Sequence, residues 1–390
     1  MKTYRVGGSV RDELLGRTVA DRDYVVVGAT PQAMRTLGFR SVGRDFPVFL
    51  HPETREEYAL ARTERKKGRG HRGFEFHASP KVTLEEDLAR RDLTINAMAR
   101  GEDGSLVDPF GGERDLRAGV LRHVGPAFAE DPLRVLRVAR FAARFGFAVA
   151  PATRALMRSI AASGELATLS RERIWQELSR ALMEPTPSRF FSTLHECDAL
   201  AALLPEVDEL FATGPRDSGA ALERLRALDQ AAATDEPLPV RYAVVAGALG
   251  ESARTRALRA DRVSARVNAP MDCRDLARLA ARFGDRIEDV ERLSAPAILD
   301  LLLAVDALRR PERLHALVRV RTAWRHGLSG EAANDQAGAA LAAALEVLRS
   351  VDAGAIASGR RDGREVARRL RAERLKALRS WKKRKASSGV

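Results

Sequence analysis

The long C-terminal stretch of helical sequence constrains the fold of this chain more than any other feature. From about Asp131 onward, alanine, leucine and arginine dominate, and the apolar residues recur with helical spacing. Breaks rich in proline or glycine divide this stretch into separate helices, as at 151–153, 184–187, 213–215, 235–239 and 327–330. About two thirds of the 390 residues must therefore pack helix against helix, without a sheet.

Strand-like sequence is confined to the first 120 residues. The short β-like runs are YRV (4–6), DYVVVG (23–28), FPVFLH (46–51), EYALA (57–61) and FEFH (74–77). A helix is predicted over residues 83–99, where Thr83 and Glu86 have capping-box spacing. The sequence therefore predicts an α+β fold with a small N-terminal α/β head and an extended all-helical remainder.

The cysteine content and the hydropathy pattern argue against a secreted or membrane protein. Cys197 and Cys273 have neither the spacing of a disulfide framework nor that of a metal-ligand set. No secretory signal opens the chain, and no long uncharged apolar run follows. We expect a cytoplasmic monomer that has no membrane partner.

The net charge of +13 is concentrated in two places. From Arg360 to the C terminus there are thirteen Lys/Arg against three Asp/Glu, and residues 62–72 hold six basic residues against one acid. Clustered Lys/Arg side chains bind polyanions by releasing counterions. The clusters indicate either a nucleic-acid partner or ordinary solvated charge, and charge alone does not decide between them.

Two aspartates precede the second strand-like run. In DRDYVVV alternate side chains point to opposite faces of a strand, so Asp21 and Asp23 are predicted to share one face. Neighbouring carboxylates repel each other unless a cation lies between them, and oxygen ligands of this kind suit Mg²⁺. Two such ions about 3.5–4 Å apart can assist phosphoryl-type transfer. An Asp-x-Asp pattern alone is weak evidence, because most examples are surface turns or caps.

The segment GGSVRD (7–12) supplies a complementary pattern. Gly7 and Gly8 follow the first strand and let backbone N–H groups approach a triphosphate closely. A helix starting near Ser9 would direct its positive end there, and Arg11 adds a charged donor. The spacing fits neither the dinucleotide fingerprint nor the P-loop.

Together, GGSVRDELLG and DRDYVVVG resemble the nucleotidyltransferase motif of class II tRNA nucleotidyltransferases, the CCA-adding enzymes, and of related bacterial poly(A) polymerases. The resemblance is close over residues 1–185 and looser afterwards. It implies that Asp21 and Asp23 are catalytic Mg²⁺ ligands and that Gly8 and Arg11 contact the nucleotide. It also implies template-independent addition and repair of the CCA end of tRNA from CTP and ATP, with release of pyrophosphate, and tandem CCACCA addition to unstable tRNAs.

The resemblance also assigns roles to three parts of the chain. It implies a head (1–122) for the metal and triphosphate, a helical neck (123–190) for base selection, and a helical body with a basic tail (191–390) for tRNA binding.

Three further motifs of the family have counterparts here. RRDLTINAMA (90–99) resembles its second motif and implies that Arg91 contacts the triphosphate, with Arg90, Asp92 and Asn96 close by; otherwise this is a charged helix face. Residues 107–124 resemble a hinge-like third motif and residues 172–182 a supporting helix. The basic segment 62–76 corresponds to a flexible loop, and Glu57 or Glu64 is a candidate third carboxylate.

Four arginines form a stripe in EDPLRVLRVARFAARF (130–145). Arg134, Arg137, Arg140 and Arg144 fall on about a third of the helix circumference, opposite apolar residues. The pattern alone fits a solvated face. The resemblance implies that Asp131 and Arg134 read the base edge and that Arg137 and Arg140 bind the nucleotide.

The chemistry of an Asp–Arg pair agrees with base reading. Cytosine and adenine present an amine donor beside a ring-nitrogen acceptor, whereas uracil and guanine present the reverse order. A carboxylate only accepts hydrogen bonds and a guanidinium only donates them, so the pair fits C and A. Choosing C before A needs a further device.

Two alternatives to CCA addition remain. One is a poly(A) polymerase, or a partial enzyme that adds only A or only C; DRD at 21–23 and GRDFPVFLH at 43–51 favour CCA addition. The other is a catalytically inactive RNA-binding protein, which intact motifs argue against. No His precedes an Asp anywhere, so we expect no active His-Asp phosphohydrolase domain.

Overall fold

The structure, a computed structural model, describes residues 1–19, 21–42, 48–66, 74–212, 219–329, 336–358 and 362–387. It consists of two compact units, Met1–Pro205 and Glu206–Val390. The predicted α+β class is confirmed, because all strands of the described residues lie in the first unit and the second unit is helical. The boundaries at residues 122 and 190 stay predictions.

A seven-stranded sheet forms the centre of the head. Its strands are β1 (Lys2–Val6), β2 (Asp23–Val27), β3 (Arg40–Val42), β4 (Val48–Leu50), β5 (Glu57–Leu60), β8 (Ala99–Gly101) and β9 (Leu106–Val107), in the order β3-β4-β5-β2-β1-β8-β9. Strand β2 runs antiparallel to β1 and parallel to β5. In this register Asp23 lies opposite Val6 on one side and Glu57 on the other, so the start of β2 meets the end of β1.

Alternation along β2 builds an apolar core on each face of the sheet. Val25 packs with Val6 and Leu88, and Val26 packs with Met34 and Phe49 on the other face. Met34 belongs to α2 (Pro31–Thr36), and Leu88 belongs to α3 (Leu84–Ala89). The strand that carries the predicted metal ligand is thus held on both faces.

The helix predicted over 83–99 is wrong beyond Ala89. The Thr83–Glu86 capping box forms as predicted and starts α3, but a 3₁₀ turn at Thr94–Asn96 and then β8 follow. The side chain of Asp92 accepts hydrogen bonds from the Leu93 N–H (2.8 Å) and from Asn96 Nδ2 (3.0 Å). Such local side-chain bonds compete with the helical ladder, which explains the early end.

The segment 62–76, predicted as a loop, contains paired strands. Strands β6 (Arg62–Lys66) and β7 (Phe74–Ala78) are antiparallel, with Arg62 opposite Ala78. Residues 67–73 and the side chain of Glu64 lie outside the described part of the structure. The prediction of mobility falls on this segment and is not tested.

Helices make up most of the rest of the first unit. These elements are α1 (Gly8–Leu14), α4 (Gly112–Arg117), α5 (Leu133–Phe145), α6 (Pro151–Ala162), α7 (Arg171–Leu182), α8 (Ser188–Glu196), α9 (Ala199–Leu203), and the short strands β10 (Val120–Leu121) and β11 (Ala148–Val149). Helix α5 packs against α7 and α8. Leu136, Ala139 and Ala143 are fully buried, as the predicted apolar side of α5 requires.

The second unit is a helical assembly. Its first helix, α10 (Pro205–Ala212), begins one residue before the second unit does. The helices that follow are α11 (Gly219–Ala233), α12 (Leu238–Ala246), α13 (Ala253–Arg266), α14 (Met271–Glu288), α15 (Ala295–Ala304), α16 (Pro311–Ser329), α17 (Gln336–Arg349), α18 (Ala353–Ala357) and α19 (Gly363–Ser387). Helix α14 packs against α12, α13 and α16, and the basic helix α19 packs against α15 and α17. Among the described residues, no helix has the length and apolarity needed to cross a membrane.

Candidate active site

A cleft of about 560 Å³ in the first unit brings together nearly all of the predicted site residues. Gly8, Arg11, Asp23, Arg91, Asp131, Arg134, Arg137 and Arg140 line it. Asp21 instead lines a neighbouring cavity of about 750 Å³, and Asp23 lines both. The cleft therefore unites sequence motifs that lie more than a hundred residues apart.

The two aspartates lie at the start of β2, though not both within it. The strand begins at Asp23, so Asp21 belongs to the preceding coil, and the prediction that both lie on one strand face is corrected. Both side chains are exposed and line the same cavity, as does Glu57. Partial burial raises the pKa of Asp23, the charge of Asp21 raises it further, and that of Arg91 opposes both.

These carboxylates offer an oxygen donor pair for a cation. Within the described residues, no group of three or more His, Cys, Asp or Glu side chains is placed to hold a metal ion. A divalent ion here would depend on waters and substrate oxygens for its other ligands, which is how Mg²⁺ usually binds.

The backbone at Gly7 lies close to the guanidinium group of Arg91. Its φ of 68° lies in the left-handed region, and a Cβ atom there would come within 2.6 Å of Arg91 Nη1. A Cβ at Gly8 would meet Arg11 Nη2 at an ordinary 3.4 Å. Gly7, more than the predicted Gly8, is therefore the position where only glycine fits.

Arg11 is held rigidly in the wall of the cleft. It is 4% exposed, and its guanidinium lies 4.9 Å from the ring centroid of Phe145 and 5.3 Å from that of Phe141. Its Nε donates to Asp12 (2.9 Å), and its Nη1 donates to Asn96 Oδ1. Burial lowers the pKa of Arg11, although a guanidinium stays charged at neutral pH.

Arg91 is held more loosely. Its Nη2 donates to Asp87 Oδ2 and its Nη1 donates to the Asn96 carbonyl, both over 3.4 Å. Its Nε is buried and has no hydrogen-bond partner. A buried donor without an acceptor costs free energy, so this side chain is suited to an anionic ligand in the cleft.

Asp131 and Arg134 are both fixed in orientation. Asp131 Oδ1 accepts a hydrogen bond from the N–H of Leu133 (3.1 Å) at the start of α5, and Asp131 Oδ2 accepts one from Arg173 Nη2 (2.8 Å). Arg134 donates from Nη1 to the Ala127 carbonyl (2.8 Å) and from Nη2 to the Arg90 carbonyl (2.7 Å). Both residues line the cleft in these fixed orientations.

Arg137 and Arg140 line the cleft but are engaged with carboxylates. Arg137 Nε donates to Asp92 (2.7 Å), and Arg140 Nε donates to Glu177 (2.6 Å). Burial alone would raise the pKa of Asp92, but Arg137 and the hydrogen bond from Asn96 hold it well below its usual range. Each of the two arginines thus already donates to a carboxylate. The contact of Arg137 and Arg140 with a nucleotide stays a prediction.

Sequence reasoning missed Arg173 and Glu177, both on α7. Arg173 pairs with Asp131 and lines the cleft, while Glu177, 3% exposed, binds Arg140. The only signal was that 172–182 fits a supporting helix. The partners are 42 and 37 residues apart in the chain, so no local spacing could pair them.

Comparison with known protein families gives two matches, both in the N-terminal part of the chain. Residues 3–122 match the family described as "Poly A polymerase head domain". Residues 146–211 match the family described as "Probable RNA and SrmB- binding site of polymerase A".

Curated relatives match over almost the whole chain. A "Multifunctional CCA protein" of Aromatoleum aromaticum is 52% identical, covering 97% of this chain and 98% of the relative. Another, from Dechloromonas aromatica, is 51% identical, covering 97% of each. The similarity thus extends well beyond residue 185, where the motif resemblance became loose.

Solved structures show the same fold. A CCA-adding enzyme in apo form II superposes with a TM-score of 0.69 at 24% identity, covering 97% of this chain and 88% of the other. The Bacillus stearothermophilus CCA-adding enzyme in complex with CTP gives a TM-score of 0.66 at 24% identity, covering 99% and 93%. The Thermotoga maritima CCA-adding enzyme complexed with tRNA gives 0.64 at 23% identity, covering 97% and 87%.

Proposed function

This chain belongs to the CCA-adding family of nucleotidyltransferases, and we propose that it adds C, C and A in turn to the 3′ end of tRNA, using CTP and ATP. The 3′-hydroxyl oxygen of the RNA gives up its proton to water and bonds to the α-phosphorus, the bond from that phosphorus to the bridging oxygen breaks, and pyrophosphate leaves. The same reaction repairs damaged ends and adds a second CCA to unstable tRNAs.

Asp21 and Asp23 would hold a divalent metal, which we propose is Mg²⁺. Two exposed carboxylates beside a polar cavity suit an ion that keeps waters and takes other ligands from phosphates. When bound, the metal would activate the attacking hydroxyl and stabilise the leaving oxygen.

Arg11 and Arg91 would bind the triphosphate. Arg11 is fixed by Asn96 and two phenylalanine rings, so it offers a preorganised charge. Arg91 brings a buried Nε donor that lacks an acceptor, and the absent side chain of Gly7 leaves room for its guanidinium. Because Asp23 and Arg91 line the same cleft, the triphosphate and the metal would meet there.

Asp131 and Arg134 would select the base. Asp131 accepts from the exocyclic amine, and Arg134 donates to the ring nitrogen of cytosine or adenine. Because other bonds hold both side chains in place, neither can turn to fit uracil or guanine. A wrong base would leave these charged groups unpaired, which makes rejection strong.

The observation that carries this proposal is the common cleft. One space holds the arginines for the triphosphate, the Asp–Arg pair for the base and Asp23 for the metal. A nucleoside triphosphate needs all three sets of contacts at once.

The test is incorporation by the full chain. A tRNA that ends at the discriminator base is incubated with each labelled nucleoside triphosphate and with CTP plus ATP, and the products are sequenced. We expect C with CTP alone and CCA with both. A long A tail would identify a poly(A) polymerase, a single type of base a partial enzyme, and no product a catalytically inactive RNA-binding protein.

The helical part of the chain would bind tRNA. The whole protein would act as a monomer in the cytoplasm. Helix α19 supports this role, because most of its basic side chains are exposed. Removing residues 360–390 should raise the KM for tRNA and reduce its salt dependence, with the KM for CTP unchanged. Identical salt dependence in the truncated chain would rule out a contact by the tail.

A further inference from the structure

A second cavity adjoins the nucleotide cleft in the first unit. It has a volume of about 750 Å³ and is lined by residues 21–23 and 54–57 together with Val19. Asp23 lines both this cavity and the cleft, and no other described residue is shared between them. The volume lies within the range of about 300–1,000 Å³ that is typical of ligand sites. We call this space the Arg55 cavity.

The turn between β4 and β5 forms one wall of the Arg55 cavity. His51 fixes this turn, because its Nδ1 accepts hydrogen bonds from the N–H groups of Glu53 (3.3 Å) and Thr54 (3.2 Å). Its backbone carbonyl also accepts the N–H of Arg55 (3.1 Å). Arg55 has a φ of 63°, in the left-handed region that a residue with a Cβ atom adopts only at a cost in free energy. Backbone strain of this kind is concentrated at functional sites, so the position of Arg55 points to a role beyond packing.

Arg55 is the free cation of this wall. Its side chain is exposed, and among the described residues no group forms a hydrogen bond or an ion pair with its guanidinium. Arg22, in the other lining segment, differs because its Nη1 lies 3.7 Å from Glu56 Oε1. Glu56 Oε2 in turn accepts from Thr54 Oγ1 (3.0 Å). Of the two arginines that line the cavity, Arg55 is therefore the one available to an anionic ligand.

The other carboxylates of the cavity lie beside the proposed metal site. Asp23 and Glu57 pair in register at the starts of β2 and β5, and Asp21 comes just before β2. Arg55 lies in the turn that precedes β5. These carboxylates alone would repel a phosphate, and a divalent ion held by them would remove the repulsion. The cavity thus suits a ligand that brings a phosphate to Arg55 and an oxygen atom to the metal site.

The geometry of phosphoryl transfer indicates which substrate that ligand is. The attacking and leaving oxygens lie on opposite sides of the α-phosphorus. Arg11 and Arg91, which would hold the triphosphate, line the cleft and do not line the Arg55 cavity. The 3′-hydroxyl of the RNA must approach from a side away from these arginines. The Arg55 cavity adjoins Asp23 and contains neither arginine, so it offers such an approach.

We propose that the Arg55 cavity binds the 3′-terminal nucleotide of the RNA, with the Arg55 guanidinium against the phosphate that precedes this nucleotide. The assignment rests on the proposed function, because it needs a nucleotide in the neighbouring cleft. The contact holds the RNA end so that its 3′-hydroxyl reaches Asp23. It contributes to the use of RNA and not to the binding of CTP.

The test combines a change in the protein with a change in the RNA. Arg55→Gly removes the guanidinium and suits the left-handed backbone. A methylphosphonate linkage before the 3′-terminal nucleotide of a tRNA lacking CCA removes the charge of one phosphate. CTP incorporation is measured for the full chain, wild type and variant, on both RNAs. We expect each change alone to lower kcat/KM for tRNA about fivefold, the upper end for an exposed ion pair, and both together to lower it no further. The KM for CTP should stay unchanged.

Three controls isolate the contact. A methylphosphonate linkage in the anticodon loop should have the same small effect on the wild type and on Arg55→Gly. Arg55→Lys keeps the charge and should retain most of the activity that Arg55→Gly loses. Arg35→Gln removes an exposed arginine of α2 that lines neither cavity, and it should leave kcat/KM for tRNA unchanged. The Tm of Arg55→Gly should not fall, because glycine adopts this backbone without strain, whereas a purely structural role predicts a lower Tm and no dependence on the RNA phosphate.

Two results would overturn the proposal. One is a folded Arg55→Gly protein in which the methylphosphonate linkage before the terminal nucleotide still lowers kcat/KM about fivefold. The other is a raised KM for CTP with unchanged use of tRNA, which would assign Arg55 to the triphosphate. If Arg55→Gly does not fold, Arg55→Asn carries the same comparison, since asparagine also tolerates left-handed backbone. Incorporation of C by the wild type on the unmodified tRNA separates the two levels: with it, either result removes only this contact, and without it the proposed function and the contact both fail.

Discussion

Replacing Arg173 by methionine tests how firmly Asp131, the carboxylate proposed to read the base, is held. In the structure Arg173 Nη2 donates to Asp131 Oδ2 over 2.8 Å, and the only other described bond to that carboxylate is from the Leu133 N–H. Methionine keeps the aliphatic length of the side chain and removes the donor. Asp131 can then turn away from the base edge.

The expected loss follows from that single contact. A hydrogen bond to a charged group contributes about 1.5–3 kcal/mol. Because both side chains are 20% exposed, water takes part of this role, and we expect the lower end of the range. About 1.5 kcal/mol corresponds to about a tenfold fall in kcat/KM for CTP and for ATP.

The assay is single-turnover incorporation on tRNAs that accept C or A, with all four nucleoside triphosphates. UTP and GTP gain nothing from Asp131, so their kcat/KM should not fall and discrimination should drop by the same tenfold. Arg171→Met on the same helix is the matched control, because its exposed side chain does not line the cleft. Equal losses for all four nucleotides, or equal losses in the control, would refute this reasoning.

Four further results are expected. Asp21→Ala should abolish nucleotide addition and leave the Kd for tRNA within about twofold, because the change removes a proposed metal ligand and leaves the proposed RNA-binding surface intact; this is measured by incorporation and anisotropy. Gly7→Ala should lower kcat/KM by about tenfold or more, because its Cβ would displace Arg91. Gly16→Ala is the control, because it is also left-handed but has open space around it; it should cost about 1–2 kcal/mol of stability and leave kcat/KM unchanged. Asp92→Asn should make the free energy of unfolding fall less steeply as the pH is lowered. The pKa of Asp92 in the folded protein lies below the unfolded value of about 3.9, so its carboxylate stabilises the wild type above that pH and this stabilisation is lost as the pH falls. An equally steep fall in the variant would contradict this. The pure protein should show no metal-dependent 2′,3′-cyclic phosphodiesterase activity, because no His-Asp pair exists in the sequence; turnover with Ni²⁺ or Mg²⁺ would disprove it.

Local pattern was sufficient to predict β1, β2, β4, β5, β7 and helix α5, but it missed the head strands β3, β6, β8 and β9. The strand-like runs form strands because alternation and β-branched residues express directly the two faces of a sheet. The capping box starts α3, and the arginine stripe of α5 faces the cleft because helical spacing fixes which side chains share a face. The motif residues predicted to act together do line a common cleft, except Asp21.

What could not be predicted depends on partners distant in sequence or on competition between local bonds. The apolar residues of 83–99 have helical spacing, but the helix ends early because the side chain of Asp92 takes local hydrogen bonds. Asp21 lies outside β2, because strand pairing begins at Asp23, which lies opposite Val6 of β1 and Glu57 of β5. The partner of Asp131 lies on another helix, and only tertiary packing brings Arg173 to it.

A continuous line of hydrogen bonds joins Arg11 to helix α5. Arg11 donates to Asn96, Asn96 donates to Asp92, and Asp92 accepts from Arg137 of α5. Arg137 in turn lies 3.8 Å from Glu177 of α7. A shift of α5 relative to Arg11 would break the bond between Arg137 and Asp92, in which Asp92 is buried and Arg137 is partly exposed. We therefore predict that a change of base choice from C to A moves these side chains together, or acts on the RNA end while they stay fixed.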